Sequence, residues 1–599
     1  MELLTLDGVI EKGVFEIPSY QRGYAWQKEQ LKDFWNDLEY VSKLGDKFHY
    51  MHSLTLRELE NDFENSAFEI IDGQQRLATS LILLGLLAKI TKHKDPKYDS
   101  MNLEPILSYK YYGLSEAFRA ITEEEKDLER FQTSFYAKNL IDAYAFFKEK
   151  VSDTPVGTLE KMFDALTKKM LFSVVGLNDN RIDPFSSFET INNRGKDLST
   201  LELLKNRLHF VAHKICDGKK LEKLQNGIND TYTRIYYDLR HFKDDHLEGF
   251  LKHFVAYYYG ENSNKFKERL LEMEFNAHRK YDDANLDDEY EKIDELLFYL
   301  SYSSKVWVFL HMPNDKELEI EITPKMRSLL DKMRRLNALS DNAFLPLLLS
   351  LFTIQLVGRS ANEQPYTTQE LEGLLEYLER FGFLIYGVAG RDTAKNEWIG
   401  LAFMAFQAYK EGEGNIAIED LPTLEKNFFN RKYSGLELLE ESILSKNNAE
   451  KWYKWGKALN YLLYAYELHH NPEATRNFDG SIESIEHILP QNPDQGYSAK
   501  EKSWAKNPHI VHALGNLLLI PKNANSSLSN KPFDEKRKAY LKGSYSEKEV
   551  AKNASFGVAQ IKERSEKLLD FLIARYNIAE LVGESAIKAF KNALLKEIK

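Results

Sequence analysis

The chain is poor in cysteine and has no long apolar run. Cys216 is the single cysteine among 599 residues, which excludes an internal disulfide and a four-cysteine zinc site and favours a reducing compartment. No charged, apolar and small-residue sequence of the signal-peptide kind opens the chain. The most apolar stretches, residues 81–88 and 343–357, are too short for an ordinary membrane span. These absences predict a cytoplasmic protein that makes no contact with a membrane.

Length and periodicity predict several domains rich in helices. A chain of 599 residues exceeds what one hydrophobic core supports. Apolar residues recur at three- and four-residue spacing in four stretches, a pattern typical of amphipathic helices. These stretches are residues 250–259, 294–309, 325–339 and 369–384. We therefore expect an α+β, predominantly helical protein. The expected domains are residues 1–210, a helical middle segment of residues 211–430, and residues 431–599.

Charge is divided unevenly along the chain. The formal net charge is −12, but residues 500–599 contain 19 Lys and Arg against 11 Asp and Glu, a net +8. Positive charge near the C-terminus suits the neutralisation of nucleic-acid phosphates, whereas the acidic remainder should repel nonspecific DNA. The candidates for phosphate contacts are Lys531, Lys536, Arg537 and Lys538. Residues 536–538 could instead form one solvated helix face, which is the more common position for an individual lysine.

The most informative motif is Glu486-His487-Ile488-Leu489-Pro490, followed by Gly515-Asn516-Leu517 and then by Asn525. His487 is the candidate general base, because the ordinary pKa of imidazole lets it accept a proton from water near neutral pH. Glu486 and Asn525 offer hard oxygen ligands that suit Mg²⁺ or Mn²⁺, and two protein ligands leave positions open for water and phosphate. The motif therefore predicts a metal-assisted phosphodiester-cleaving centre.

The strand geometry of this motif sets a condition on that chemistry. Neighbouring side chains on a strand point to opposite faces. Glu486 and His487 can therefore meet one phosphate only if the strand ends and bends at this point, which Pro490 favours.

A second pair of motifs lies near the N-terminus. Residues 15–26 have the sequence Phe-Glu-Ile-Pro-Ser-Tyr-Gln-Arg-Gly-Tyr-Ala-Trp, and residues 71–76 have the sequence Ile-Asp-Gly-Gln-Gln-Arg. A short buried strand is predicted at residues 68–71 and a helix at residues 77–90, so the second motif lies on the turn that opens this helix. Exposed backbone N–H groups and the helix dipole attract anions at such a turn.

Three residues of this turn have roles that fit phosphate chemistry. Gly73 lets the backbone come close, and Arg76 can make a forked contact to phosphate oxygens. Asp72 could cap the helix or serve as a carboxylate near metal or water. The alternative is that Asp72 only caps the helix while Arg76 pairs with Glu69 on the surface.

A third block covers residues 188–199 and continues into Leu203-Leu204-Lys205-Asn206. It predicts an Asn-Asn-Arg-Gly turn, followed by a helix from about Thr200 that Ser199 could cap. The donors it offers to phosphates or DNA are Asn193, Arg194 and Lys205. The alternative is a fold-defining turn with a solvated arginine.

Together these blocks resemble GmrSD-type, or BrxU-like, type IV restriction endonucleases over residues 10–210 and 440–570. The C-terminal pattern is similar to their HNH domain, a ββα-metal (His-Me finger) nuclease, here embedded in helices. The N-terminal motifs are similar to their ParB- and sulfiredoxin-like domain. Two positions depart from the family: Glu486 replaces the Asp of many relatives, and His52 stands where relatives usually have Gly.

The resemblance implies roles for residues at both ends of the chain. In the C-terminal domain His487 activates water, Glu486 and Asn525 hold Mg²⁺ or Mn²⁺, and Asn516 braces the loop. In the N-terminal domain a nucleoside triphosphate (NTP) of unidentified base is bound and hydrolysed, with Asp72 as the candidate catalytic carboxylate. The implied nucleotide-binding residues are Tyr20, Gln21, Arg22, Asp72, Gly73, Gln74, Gln75, Arg76, Asn193, Arg194 and Lys205.

The function implied is an NTP-hydrolysing, metal-dependent endonuclease that restricts phage DNA carrying hydroxymethylated or glucosylated cytosine. Its partners would be double-stranded DNA and an NTP, and a homodimer is one possible state. Two alternatives stay open. One is a phosphorothioation-sensing nicking nuclease, for which Pro18-Ser19-Tyr20-Gln21-Arg22 is a poor match. The other is a non-cutting, nucleotide-switched DNA-binding regulator, which the presence of Glu486, His487 and Asn525 disfavours.

Overall fold

The computed structural model describes most of the chain. The described residues are 2–59, 66–91, 106–110, 113–123, 125–178, 185, 198–242, 244–261, 263–277, 279–281, 285–340, 342–391, 394–413, 451–472, 483–493 and 496–599. They form two compact units. The first comprises Met1–Val255 and Glu261–Val308, and the second comprises Ala256–Gly260 and Phe309–Lys599.

Of the two predicted domain boundaries, one lies within a helix and the other lies outside the described residues. The boundary at residue 210 falls within the helix Thr200–Ile215, because this helix continues past the last N-terminal motif. The boundary near residue 430 lies outside the described residues. The three-part division therefore stays a prediction.

The first unit is built on a six-stranded mixed sheet. Its strands are β1 (Glu2–Thr5), β2 (Val14–Ile17), β3 (His49–Leu59), β4 (Ala67–Asp72), β5 (Leu107–Tyr109) and β6 (Met170–Gly176), in the spatial order β1-β6-β3-β4-β2-β5. β2 runs parallel to β4 and β5, and β3 runs parallel to β6. The carboxyl ends of parallel neighbours lie at one edge of a sheet. Because the two N-terminal motifs continue from the ends of β2 and β4, this pairing brings them together.

A bulge in β3 occurs at His52. The register of β3 against β6 shifts between Tyr50 and Ser53, and His52 has a φ angle of 64°. This left-handed conformation suits glycine and costs most other residues about 1–2 kcal/mol. The residue that replaces the family's usual glycine therefore occupies a position where glycine is physically favoured.

The helix Gln74–Thr91 follows β4 and is buried through most of its length. It packs against the helices Phe135–Ser152 and Val156–Lys168. This packing explains why the apolar run at residues 81–88 belongs to a core. Among the described residues, no helix is long and apolar enough to cross a bilayer.

Helices make up most of the rest of the first unit. Those described are Leu6–Ile10, Lys28–Lys43, Leu114–Thr122, Phe135–Ser152, Val156–Lys168, Thr200–Ile215, Gly218–Asp238 and Phe266–Glu268, with single turns at Glu129–Phe131, Leu239–His241, Ser263–Lys265 and Arg269–Glu274. Two longer helices, Asp244–Tyr259 and Leu286–His311, begin in the first unit and end in the second.

The second unit surrounds one short antiparallel strand pair, β7 (Glu483–His487) and β8 (Leu517–Pro521), with helices. The described helices are Pro324–Ser340, Leu345–Ser360, Thr368–Phe381, Lys395–Glu411, Lys451–Lys454, Lys457–His470, Ala499–Ala505, Pro508–Val511, Lys522–Leu528, Phe533–Tyr540, Tyr545–Ala551, Val558–Arg575, Ile578–Val582 and Glu584–Glu597, with turns at Gly382–Val388 and Leu514–Asn516. The four helical stretches predicted from periodicity each coincide with a helix. The predominantly helical α+β class is confirmed.

Candidate active site

Strand β7 carries the C-terminal motif and separates its side chains onto two faces. It pairs with β8 in a register that sets His487 opposite Leu517. Side chains alternate along a strand, so Ser484 and Glu486 share one face and His487 lies on the other. The strand ends at His487, and the chain bends before Pro490, as the sequence predicts.

Asn516 holds the bend that follows His487. Its side-chain oxygen accepts the backbone N–H of Leu489 at 2.8 Å, and its amide nitrogen donates to the carbonyls of Leu489 at 2.9 Å and Val511 at 2.7 Å. Its own carbonyl accepts the N–H of Ile488 at 3.0 Å. The side chain is 0 % exposed. Asn516 thus makes the contacts that a loop-bracing residue requires, and it lies out of reach of a substrate.

The side chain of His487 is buried and lies next to the rings of His512 and Tyr453. Its Nε2 is 3.2 Å from Nδ1 of His512, and its ring meets the edge of Tyr453 at a centroid distance of 4.9 Å. The side-chain amide of Gln491 lies 3.3 Å from the imidazole nitrogens. Burial, together with His512 and Lys536, lowers the pKa of His487 to about 3. The imidazole is therefore neutral near pH 7 and has a lone pair that can accept a proton.

Glu486 is buried on the opposite face of β7 and is held by two donors. Its Oε1 accepts a hydrogen bond from Nζ of Lys536 at 2.5 Å and another from the hydroxyl of Tyr540 at 3.0 Å. Lys536 also donates to the carbonyl of His487 at 2.8 Å. Burial raises the pKa of Glu486, and the charge of Lys536 opposes this effect.

Asn525 lies on the same side of β7 as Glu486. The helix Lys522–Leu528 follows β8 and packs back onto β7, and Nδ2 of Asn525 donates to Oγ of Ser484 at 2.9 Å and to the carbonyl of Ile485 at 3.0 Å. Both hydrogen bonds described for Glu486 use Oε1, so Oε2 of Glu486 and Oδ1 of Asn525 are the oxygens that can face a metal. The donor set fits the hard cations Mg²⁺ and Mn²⁺.

Oε2 of Glu486 and Oδ1 of Asn525 alone do not complete the coordination of a metal ion. In the part of the chain that the structure describes, no group of three or more His, Cys, Asp or Glu side chains could hold a metal ion. Magnesium demands near-octahedral coordination and usually keeps several waters. The remaining ligands would therefore come from water and from phosphate oxygens.

The cations expected to contact DNA differ in exposure. Lys531 and Lys538 are exposed and can reach a phosphate. Arg537 is partly buried, and its Nε donates to the carbonyl of Ala551 at 2.8 Å.

Lys536 was expected to contact DNA, and this expectation is corrected here. Its side chain is 0 % exposed and cannot face a phosphate at the surface. Phe533, Lys536 and Tyr540 are the buried residues of the helix Phe533–Tyr540, and their three- and four-residue spacing turns Lys536 inward. The charge of Lys536 pairs with Glu486 in the interior and is not presented at the surface.

Two glutamines tie the N-terminal motifs together in the first unit. Gln21, which follows β2, donates to backbone carbonyls at the end of β4, at 3.1 Å for Ile71. Gln75 accepts the N–H of Ala25 at 2.8 Å and donates to the carbonyl of Gly23 at 2.9 Å. These two predicted nucleotide-binding residues are thus engaged in holding the two motifs against each other.

Asp72 and Arg76 form a partly exposed ion pair, 3.1 Å between Oδ2 and Nη2. Ser53 joins both residues, since its hydroxyl donates to Asp72 at 3.1 Å and its carbonyl accepts from Arg76 at 2.7 Å. The alternative partner considered for Arg76, Glu69, pairs with Arg57.

Gly73 shapes the start of the next helix. Its φ angle is 98°, and a Cβ at this position would lie 2.9 Å from the carbonyl oxygen of Ser53. The helix begins at Gln74, and the first N–H groups of a helix have no partner within it. The buried Oε1 of Gln74 makes no hydrogen bond within the described structure. The backbone N–H groups of the turn are therefore donors suited to an anion, whereas Oε1 of Gln74 is an acceptor and would suit a donor group.

The other residues expected at the nucleotide are buried or lie outside the described residues. Tyr20 packs against Phe185 at a ring-centroid distance of 4.7 Å, and Arg22 is 8 % exposed. Asn193 and Arg194 lie outside the described residues.

Lys205 also lies in the interior. It is 1 % exposed, and its Nζ donates to the carbonyl of Ser19 at 2.5 Å and lies 5.7 Å above the ring of Tyr232. Burial lowers the pKa of Lys205 to about 7. In this position Lys205 supports the loop after β2 and is not presented to a phosphate.

Comparison of the sequence with models of known protein families finds one family domain over each of the two candidate sites, in the same order along the chain. The model of the GmrSD restriction endonuclease N-terminal domain matches residues 4–209, and that of the GmrSD C-terminal domain matches residues 439–571. The chain belongs to the GmrSD restriction endonuclease family. No curated protein matches it. As a GmrSD restriction endonuclease it is a nuclease of phage defence that acts on DNA.

Two residues of the GmrSD C-terminal site, Tyr540 and Tyr453, were missed by sequence reasoning, whereas His512 belongs to the pattern His512-x-x-Gly-Asn-Leu that carries the resemblance. Tyr540 could have been found from its helical spacing to Phe533. Tyr453 precedes the motif by more than thirty residues, and no signal in the sequence places its ring beside His487.

Proposed function

We propose that the second unit contains an HNH, or ββα-metal, nuclease centre in which His487 takes a proton from the water that attacks a DNA phosphodiester. The arrangement around β7 carries this proposal. Asn516 fixes the bend directly after His487, and the helix carrying Asn525 packs onto the strand that carries Glu486. The base and one metal ligand are therefore neighbours at the end of one strand, on its two faces, and the second ligand lies on the side of Glu486.

The surroundings of His487 suit a general base. The imidazole is neutral near pH 7, because its pKa is lowered to about 3. His512 and Gln491 both lie within hydrogen-bond distance of its ring and so limit its rotation. A bound phosphate brings negative charge, which favours the protonated imidazole and raises its pKa toward the working range.

Glu486 and Asn525 are the residues that would hold Mg²⁺ or Mn²⁺, through Oε2 and Oδ1. When bound, the metal supplies stabilisation of the negative charge that develops on the phosphate during cleavage. Tyr540 and Lys536 fix the other carboxylate oxygen of Glu486, and such outer contacts orient a metal ligand.

For the first unit we propose NTP binding and hydrolysis at the sheet edge where β2 and β4 end. The start of the helix Gln74–Thr91 offers backbone donors, and Arg76 adds a charged donor. Asp72 is the carboxylate available to a metal or to the attacking water. Gln21 and Gln75 keep the two motifs in place, so their part in nucleotide binding is indirect.

We further propose that the preferred substrate is double-stranded phage DNA with hydroxymethylated or glucosylated cytosine, cut in the cytoplasm by an enzyme that can form a homodimer. These points rest on the family resemblance alone. The phosphorothioation-sensing nicking nuclease is the rival that shares this catalytic centre.

The test is cleavage of matched duplexes bearing plain, hydroxymethylated, glucosylated or phosphorothioated chemistry, with Mg²⁺, Mn²⁺ or EDTA and with or without each NTP. We expect metal-dependent cutting that prefers modified cytosine and responds to NTP. His487→Ala should slow cutting roughly 10²–10⁴-fold, whereas the surface variant His509→Ala should not. Cutting in EDTA, or normal rates in His487→Ala, would refute the nuclease centre, and a preference for phosphorothioate would support the rival.

A further inference from the structure

We propose that the nuclease centre has no net charge until DNA arrives, so that the divalent metal binds together with a DNA phosphate and is held only weakly by the free enzyme. Lys536 is the residue that sets this condition. The inference rests on the proposed function and adds an order of binding to it.

The charge of Glu486 is cancelled locally. Nζ of Lys536 lies 2.5 Å from Oε1 of Glu486, and the two side chains are 0 % and 3 % exposed. In this ion pair the charge of the ammonium group cancels that of the carboxylate. A carboxylate that would otherwise attract a divalent cation is therefore offset by a cation of the protein itself.

Three further described residues beside β7 do not restore a negative charge. Asn525 and Asn516 are neutral amides. Glu483, on the same strand, is 2.9 Å from Nη1 of Arg335, so this carboxylate is also balanced. The two surface cations Lys531 and Lys538 would oppose a metal if they acted at all.

The packing and hydrogen bonds of Lys536 hold its ammonium group beside Glu486, so we expect it to stay there when a metal binds. Its Nζ has a second acceptor in the carbonyl of His487 at 2.8 Å. Its helix buries it between Phe533 and Tyr540, so an outward swing would expose apolar surface. Oε1 of Glu486 therefore stays occupied, and only Oε2 is left to bind the metal.

A site of this kind favours joint binding. Two like charges a few ångströms apart in a partly buried site repel each other strongly, so Lys536 opposes the binding of a metal cation at Glu486. A DNA phosphate restores a negative charge beside Glu486 and contributes an oxygen ligand. Metal and DNA should then raise each other's affinity, as linkage requires.

The first measurement is Mn²⁺ binding by electron paramagnetic resonance, using His487→Ala protein so that duplex DNA is not cut. We expect Mn²⁺ to bind at least about tenfold more tightly when DNA is present, within the range usual for coupled sites. The same titration with Glu486→Gln in the His487→Ala background corrects for Mn²⁺ held by DNA alone. Equal Mn²⁺ affinities with and without DNA would overturn the inference.

The second measurement removes the internal cation. Lys536→Met should bind Mn²⁺ at least about tenfold more tightly without DNA, and Mn²⁺ should raise its melting temperature more than that of the wild type. Lys542→Met, an exposed lysine just after the same helix, is the matched control and should behave as the wild type. Unchanged or weaker Mn²⁺ binding by Lys536→Met would contradict the inference.

The proposed metal centre and the proposed role of Lys536 would be refuted by different results. If neither state of the enzyme binds Mn²⁺, or Glu486→Gln binds it as well as the wild type, the proposed metal centre itself fails. If Mn²⁺ binds through Glu486 but tightly and independently of DNA, the metal centre stands and only the role of Lys536 fails. If Lys536→Met does not fold, the first measurement still tests the inference, because it compares Mn²⁺ binding with and without DNA in a protein that keeps Lys536.

Discussion

Lys536 and Glu486 form an ion pair with 2.5 Å between Nζ and Oε1, shielded from solvent on the inner side of β7. Removing one partner of a buried pair leaves an uncompensated charge and costs about 3–5 kcal/mol, whereas replacing both partners is often nearly neutral. The pair therefore ties the stability of the nuclease unit to the chemistry of its candidate metal ligand.

This pair gives a stability prediction. Glu486→Gln should destabilise the second unit by about 3 kcal/mol in the absence of metal, because Lys536 is left charged and buried. The double variant Glu486→Gln with Lys536→Met should recover most of the loss. Urea denaturation of the single and double variants measures the difference, and additive losses would show that the two side chains do not stabilise each other.

Asn516 should be needed for stability as well as for cutting. Asn516→Ala removes three side-chain hydrogen bonds and leaves buried backbone groups of Leu489 and Val511 unsatisfied, at a cost of about 2–4 kcal/mol. We expect a lower melting temperature and slower DNA cutting that extra metal does not restore. Asn523→Ala, on the exposed start of the next helix, is the control, and equal melting temperatures for the two variants would contradict a bracing role.

Arg76 should govern nucleotide affinity. Arg76→Ala removes a charged donor worth about 1.5–3 kcal/mol, or roughly 10- to 150-fold in NTP binding. If nucleotide gates the nuclease, cutting of modified DNA should change in the same variant. Arg130→Ala, an exposed arginine, is the control. NTP hydrolysis and cleavage measured on the same preparations separate binding from gating, since lost hydrolysis with unchanged cutting at every NTP concentration would exclude a gate.

Lys205 should make the stability of the first unit depend on pH. Its pKa is about 7 in the folded protein and near 10.4 when unfolded. Between these values the unfolded chain binds more protons, so the free energy of unfolding should rise with pH, by on the order of 1 kcal/mol per pH unit. Below pH 7 both states hold the proton and the slope vanishes. Lys205→Met should lose this rise when urea denaturation is compared at pH 7 and pH 9, and an unchanged slope would contradict the buried position.

His52 should carry removable strain. With a φ angle of 64°, His52→Gly relieves a left-handed backbone that costs about 1–2 kcal/mol, although glycine also stabilises the unfolded chain by up to about 1 kcal/mol. We expect a small net gain in melting temperature. His49→Gly, at the regular start of β3, should lower it, and a loss at both positions would argue against strain at the bulge.

The sequence predicted the bend after His487 but not the partners of the side chains around it. Asn516 was expected to brace a loop, and it does so with four hydrogen bonds at the bend after His487, because a motif preserves the local backbone that its residues shape. Lys536 was expected at the surface because charged runs usually are. Its burial depends on Glu486, fifty residues earlier in the chain, and that pairing exists only once β7 and the helix Phe533–Tyr540 pack together.

The N-terminal motifs show the same limit. Gln21 and Gln75 were expected to touch nucleotide because they stand within the motifs, yet each bonds the backbone of the other motif. The parallel pairing of β2 with β4 creates these contacts, and neither motif alone specifies it. Lys205 likewise meets Ser19 across a separation of 186 residues.

The alternation of β7 places a constraint on insertions and deletions. A single residue gained or lost between Ser484 and His487 would reverse the strand's faces, turning the carboxylate toward Tyr453 and the imidazole toward Lys536. Substitutions in this strand can be gradual, but a change of length disables base and metal ligand in one step. Among homologous sequences, gaps should therefore avoid residues 483–487, and insertions designed into this protein should be placed elsewhere.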